Sequence, residues 1–233
     1  MKKIVAMAMT LGLFLAACGS HNNKADSSTK TTSASTAGKT TKGGGDVVKA
    51  KLLTVSDMPT GFTKGSEDSN NGDADPAKDK SADDEFCKEL ADVAKQYKTD
   101  GEATIEFQTQ ATRQGGSFFN EQLSHFSSLS DAKNAFTLFK KALTDRCKDL
   151  TDAASGLKGT FTSMSFPKVA DDTFAVALDA TQTQGTQSTP LKGQLIAIRK
   201  GDVLGLLFNF GSGSDSLSTS QVESLVRKAA DKL

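Results

Sequence analysis

Tryptophan is absent from this 233-residue chain, tyrosine occurs once, histidine twice and proline four times. With two histidines there is almost no material for a multi-histidine metal site or a histidine-based triad. Charge of either sign in excess is also missing. Lys and Arg total 28 against 28 Asp and Glu, so no bulk field draws in nucleic acid or an anionic lipid surface. Hydrophobic residues without glycine make up 36%, which with the 20 glycines added falls slightly below the globular average. That deficit is uneven along the chain, and its unevenness divides the sequence into three parts.

The longest apolar run is residues 4–17, IVAMAMTLGLFLAA, behind Lys2 and Lys3. As a helix it would span ~21 Å, short of the ~30 Å hydrocarbon core, and no stop-transfer pattern follows. A basic start, a short apolar run and small residues at its end define a secretory signal. Leu15-Ala16-Ala17-Cys18-Gly19 resembles a bacterial lipobox, in which cleavage precedes a cysteine whose thiol is diacylated. Two or three acyl chains anchor stably where one binds only marginally. Residues 1–17 are therefore expected to be a lipoprotein signal peptide and Cys18 the lipidation site, carrying palmitate or similar chains. An ordinary secretory signal that happens to contain a cysteine is the alternative.

Residues 18–45 continue the anchor into a stretch of Ser, Thr, Lys, Asn, Gly and Ala without Val, Ile, Leu or an aromatic residue. Such a composition cannot offset its own ordering entropy and reads as a flexible tether reaching roughly 25–30 Å. Its Thr-rich part also suits a glycosylated stalk. Gly43-Gly44-Gly45 reads as its hinge, not as a phosphate loop, because no GKS/GKT follows.

Residues 46–233 are expected to form one domain of ordinary size. Apolar residues at 3–4 spacing predict helices over residues 83–98 and 130–147 and near the C-terminus, with Ser130 capping the second. Ser218…Gln221 and Ser220…Glu223 are both capping-box spacings for the last. Alternation predicts strands over residues 103–110, 117–126, 159–166, 173–181, 194–199 and 203–210, with a tight turn at Lys200-Gly201-Asp202. Residues 47–53 read as short and mixed, and residues 64–81 and 182–190 as loops. The expected class is α+β: an antiparallel sheet of about six strands with helices against one face.

Cys87 and Cys147 remain once Cys18 is set aside. In an exported chain an even pair predicts a disulfide, closing a loop of about 60 residues worth roughly 3–4 kcal/mol. Buried free thiols are one alternative. A catalytic cysteine is another, but His125 would be the sole histidine base in the domain. No CxxC motif exists for redox or zinc chemistry.

Other candidates are weak. His125 sits in a strand, no G-x-S-x-G occurs, and Gly211-Ser212-Gly213 is explained by a sheet-to-helix loop. The acidic run Asp68, Asp73, Asp75, Asp79, Asp83, Asp84, Glu85 lacks the glycine and the glutamate of a calcium loop. Glu102 and Glu106 share a strand face, with nothing in the sequence to push their pKa values apart. Neither a catalytic residue, a metal site nor a cofactor is expected, and the ligand-binding residues stay unknown.

Two stretches carry a family resemblance. Residues 52–62, LLTVSDMPTGF, and the closing Arg199-Lys200-Gly201-Asp202-Val203 hairpin with its Ser-capped helix resemble actinobacterial lipoproteins with a sensor-like domain, similar to the extracellular domain of the mycobacterial receptor kinase PknH. The resemblance implies an antiparallel sheet flanked by helices, disulfide staples and a cleft for an unknown ligand. It differs in cysteine number, since only one disulfide can form here. The expectation is a non-enzymatic, surface-anchored lipoprotein at the extracytoplasmic face of the cell membrane. Its partners would be the membrane, through the lipid, and a small molecule, lipid or envelope protein. A carrier of apolar cargo is an alternative, with Phe118, Phe119, Phe126, Phe136, Phe139, Phe161, Phe166 and Phe174 lining its pocket. A structural envelope assembly partner and an envelope hydrolase are the others.

Overall fold

The computed structural model describes residues 43–70, 96–97, 99–109, 116–152, 156–212 and 216–233. Its elements are α1 (Gly44–Lys49), β1 (Phe62–Asn70), β2 (Thr99–Thr109), β3 (Ser117–Phe126), α2 (Leu129–Lys141), β4 (Asp149–Asp152), β5 (Leu157–Ser163), β6 (Asp172–Gln184), β7 (Gln187–Lys200), β8 (Val203–Ser212) and α3 (Thr219–Lys232). The strands form one sheet in the order β1-β2-β3-β8-β7-β6-β5-β4, every neighbour antiparallel. The α+β class holds.

Eight strands stand where about six were expected. The two additions are the edges. β1 buries Phe62 and exposes the six residues after it, so it carries no alternation to read. A bulge between Lys64 and Glu67 and their ion pair blunt it against pairing with another chain. β4 has only four residues. The expected loop at residues 182–190 is instead the far end of the β6–β7 hairpin, which turns at Gly185 with φ +61°. Thr183, Thr186, Gln187 and Thr189 there are exposed, so strand pairing leaves no hydrophobic signature.

The helices cover both faces of the sheet, not one. Phe107, Phe119, Leu123, Ile196, Ile198 and Leu207 pack with Val48, Leu53, Val222, Leu225, Val226 and Ala229, which places α1 and α3 on one face. Ala132, Ala135, Phe136 and Phe139 of α2 pack with Phe126, Phe161, Val176, Leu178, Leu204 and Leu206 on the other. Each Val, Leu, Ile or Phe among them removed from water contributes roughly 1.5–3 kcal/mol. A sheet covered twice must bury alternate residues of both parities, which explains why β8 is almost wholly buried.

Local chemistry sets the helix ends. Ser128, not Ser130, caps α2: it is extended, and its Oγ accepts the Asp131 N–H at 3.1 Å. α3 takes the first of its two possible boxes, with Ser218 N–H donating to Gln221 Oε1 at 3.0 Å and Gln221 N–H donating to Ser218 Oγ at 3.3 Å. The triple-glycine segment is not a hinge. Gly44 and Gly45 open α1, and Gly45 is buried against β2. A Cβ at Gly101 would lie 1.9 Å from Gly45 N, so the approach requires glycine. The turn between β7 and β8 is as expected, with Gly201 at φ +61°.

The expected helix over residues 83–98 lies almost entirely outside the described residues, as do Cys18 and Cys87. The disulfide of the expected fold is therefore not part of the described architecture. Cys147 lies in the core on the α2 side, directly after a π-helical turn, Ala142–Arg146.

Candidate functional site

The register places a continuous polar floor on the α2 face of the β1–β3 edge. Glu102, Thr104, Glu106 and Gln108 of β2 lie opposite Ser124, Gln122, Asn120 and Phe118 of β3. Those in turn lie opposite Leu204, Leu206, Phe208 and Phe210 of β8. Polarity changes across one strand spacing: apart from Phe118, amides, hydroxyls and carboxyls lie on β2 and β3 over residues 102–108 and 118–124, and aromatic and aliphatic groups on β8. Phe208 and Phe210 stack with ring centroids 5.7 Å apart, and Phe118 meets Phe210 edge-on at 6.3 Å. All three rings are half-buried.

Gln122 is 3% exposed, and its Nε2 meets no hydrogen-bond acceptor among the described residues. A buried amide without a partner costs roughly 1–3 kcal/mol, so it calls for an explanation. Asn120 is also buried, and its Nδ2 donates to the Ile105 carbonyl at 3.4 Å. Glu102 Oε1 accepts from Thr99 Oγ1 at 3.2 Å and Ser124 Oγ at 3.4 Å. Burial pushes its carboxyl up to about 7 against those bonds and one from Asn70. Near neutral pH the group is thus about half protonated, able to donate as well as accept. The sequence held no sign of this, because the shift comes from the tertiary cover of β2.

Glu121 lies on the opposite face of β3, fully buried. Its Oε2 accepts the Leu53 N–H at 2.6 Å. Burial pushes its carboxyl up to about 7, opposed by that bond and by Lys232, with Asp57 adding to the rise. His125, on the same face, stands between two carboxylates, Nδ1 at 3.6 Å from Asp100 and Nε2 at 3.6 Å from Asp202.

The sequence candidates scatter. Asp68 lies on β1, while Asp73 to Glu85 fall outside the described residues, and no cluster able to hold a metal occurs among the described residues. Gly211 and Ser212 end β8. The eight phenylalanines do not line one pocket. Phe119 and Phe166 belong to the α1/α3 side, while Phe126, Phe136, Phe139, Phe161 and Phe174 are core on the α2 side. The floor residues Asn120 and Gln122 escaped sequence reasoning. The available signal was Asn120-Glu121-Gln122, a polar triplet in the middle of a strand flanked by apolar residues.

With this geometry in view, the fold has a solved counterpart. The extracellular domain of PknH from Mycobacterium tuberculosis overlays on 79% of this chain and 93% of that one, with a TM-score of 0.50 and 14% identity. The two share an architecture, as the sequence resemblance implied. A putative uncharacterized protein from Mycobacterium smegmatis covers 81% of this chain and 96% of its own, with a TM-score of 0.41 and 14% identity. No family model and no curated protein matches the chain.

Proposed function

We propose that this chain is a non-enzymatic, lipid-anchored binding domain held at the extracytoplasmic face of the cell membrane, taking a small ligand on the polar floor of β2 and β3. The observation that carries the reading is the buried, unpartnered Gln122 amide set between Glu102 and the half-buried Phe208–Phe210 pair. A few convergent polar groups beside apolar surface describe most small-molecule sites. The fold shared with a kinase's extracellular domain supports an extracytoplasmic setting, and the Leu15-Ala16-Ala17-Cys18 sequence supports the anchor. Among the described residues no helix is long and apolar enough to cross a membrane. The same compartment supports a Cys87–Cys147 disulfide, with Cys147 1% exposed at the end of the α2 segment. Signalling or assembly would then pass through a separate envelope partner.

The half-buried aromatic trio also favours a second reading, a carrier of apolar cargo. Intact mass of chain extracted with its lipid separates the two. Covalent acylation at Cys18 with no apolar adduct under native conditions supports the first. An apolar adduct that survives purification supports the second, and an unacylated chain overturns the anchor. Turnover of substrates abolished by single substitutions would overturn the non-enzymatic reading.

A further inference from the structure

We propose that the floor formed by β1–β3 and β8 on the α2 side takes a neutral saccharide, with Gln122, Glu102 and the polar β2 row bonding its hydroxyls and the Phe208–Phe210 pair carrying its apolar face. The inference rests on reading this floor as the ligand face.

The chemistry of the floor selects the class by elimination. Gln122 presents a buried donor without an acceptor, which a cation cannot satisfy because it has no lone pair to offer. Asp68 and Glu106 stand on the same side of β1 and β2, and the α2-face positions of β1, β2, β3 and β8 carry no Lys or Arg. An anion would meet carboxylates without a counter-charge. A purely apolar ligand would leave the Gln122 amide N–H buried and unpaired. What remains is a neutral molecule that both donates and accepts at several positions. Carboxylates accept from hydroxyls, while the Gln108, Asn120 and Gln122 amides do both. The aromatic pair adds the second half of the match. The electron-rich ring faces attract the weakly positive C–H groups on the apolar face of a pyranose. Gly193 lies opposite Phe210 on β7, and its missing side chain leaves that ring's flank low.

The pH behaviour follows from the groups facing Glu102, which are Thr99, Asn70 and Ser124. None is charged. Ionisation of Glu102 removes one donor from the floor, and Glu102→Gln keeps a donor at every pH.

The test titrates the full chain, in detergent micelles, with maltotetraose, mannotetraose and cellotetraose at pH 6 and pH 8. Spermidine, inorganic phosphate and palmitate serve as cationic, anionic and apolar probes. The expected result is saturable binding of at least one tetrasaccharide, insensitive to added salt and weaker at pH 8. Gln122→Leu and Phe210→Leu should each weaken it at least tenfold without loss of folding. Glu102→Gln should level the two pH values. Should Gln122→Leu fail to fold, Gln108→Ala on the half-buried rim replaces it. Binding of none of the three sugars overturns the proposal. Palmitate binding lost in Phe210→Leu would overturn the saccharide class and leave the ligand face standing. Sugar binding indifferent to both substitutions would overturn the face, and the proposal with it.

Discussion

The Glu121 carboxyl accepts the Leu53 N–H at 2.6 Å across 68 residues of sequence, inside the core and with its other oxygen unpartnered. The bond ties the segment between α1 and β1 to β3, the third strand of the sheet. Around it the C-terminal helix closes the same corner. Lys232 Nζ donates to the Leu52 carbonyl at 3.0 Å and to Asp57 Oδ2 at 2.6 Å, and Lys51 Nζ donates to the Leu233 carbonyl at 3.1 Å. The segment between α1 and β1, the end of α3 and strand β3 thus share one polar joint.

This joint and the polar floor make stability depend on pH in a defined direction. Glu121 and Glu102 are both raised from 4.5 to about 7, so their contribution is complete below pH 4.5 and is lost as pH rises through 7. At 1.36 kcal/mol per unit the loss is on the order of 3 kcal/mol each. For Asp57, burial acts upward but bonds from Lys232 and Thr54 prevail and hold it at about 2, so its contribution is present above pH 3.8 and lost as pH falls through 2. Denaturant melts of the wild type should therefore be most stable near pH 4–5. Glu121→Gln should remove about half of the alkaline limb, the Glu102 share remaining, and leave the acid limb unchanged. An alkaline limb of the same depth in Glu121→Gln would contradict the assignment.

A methyl group at Gly101 should separate α1 from the sheet. Its Cβ would stand 1.9 Å from Gly45 N and 2.3 Å from the Gly44 carbonyl carbon, both backbone and unable to swing aside. Overpacking of this kind costs about 1–3 kcal/mol, and thermal melts of Gly101→Ala should show it. Gly65→Ala is the control. Its nearest neighbour is Glu106 Cβ at 3.3 Å, and its melting temperature should change little.

Much of the sheet was legible because β2 keeps strict period-two burial, with Ala103, Ile105 and Phe107 inward between half-buried polar residues. The β7–β8 hairpin was legible through Gly201, and α3 through its Ser218 box. β1 was not, since an edge strand with one buried residue has no hydrophobic period. The two-sided cover was missed for a related reason. Residues 117–126 alternate Phe119 and Leu123 with Asn120 and Gln122, which reads as one buried face and one wet face. In the folded chain both faces are buried, and the wet-looking face is the floor on which the binding proposal stands. Burial of Glu102 and Glu121 is a tertiary fact that no local pattern announces.

Arg199 should prove a structural anchor and not a ligand group. Its Nε donates to Asp172 Oδ2 at 2.7 Å and its Nη1 to the Gly201 carbonyl at 2.9 Å, while Asp171 Oδ2 accepts the Gly201 N–H at 2.9 Å. The fork fixes the β7–β8 turn against the start of β6. Arg199→Lys keeps the charge but loses the planar fork. It should destabilise by about 1–2 kcal/mol, discounted for the exposure of Asp171 and Asp172, and leave saccharide titrations unchanged. Loss of binding without loss of stability would contradict this role.

Reduction provides a test of the cysteine pair. If Cys87 and Cys147 are bonded, the oxidised chain is two hydrogens lighter, and Cys147→Ser lowers stability by roughly 3–4 kcal/mol as a loop-entropy effect. A dithiol reductant should lower the melting temperature of the wild type and have no further effect on Cys147→Ser. A reductant effect of equal size in both chains would overturn the pairing.

The side-chain amide of Gln122 reports on the binding face directly. In a nitrogen-15 spectrum of the full chain, its NH₂ pair is identified by its disappearance in Gln122→Leu. The low-molecular-mass fraction of the envelope of cells that make the protein is then added. The Gln122 pair should shift and sharpen as its donor finds an acceptor, while Gln194, on the opposite face and bonded to Thr219 Oγ1 at 3.1 Å, stays in place. A Gln122 pair that remains fixed while resonances elsewhere move would contradict it.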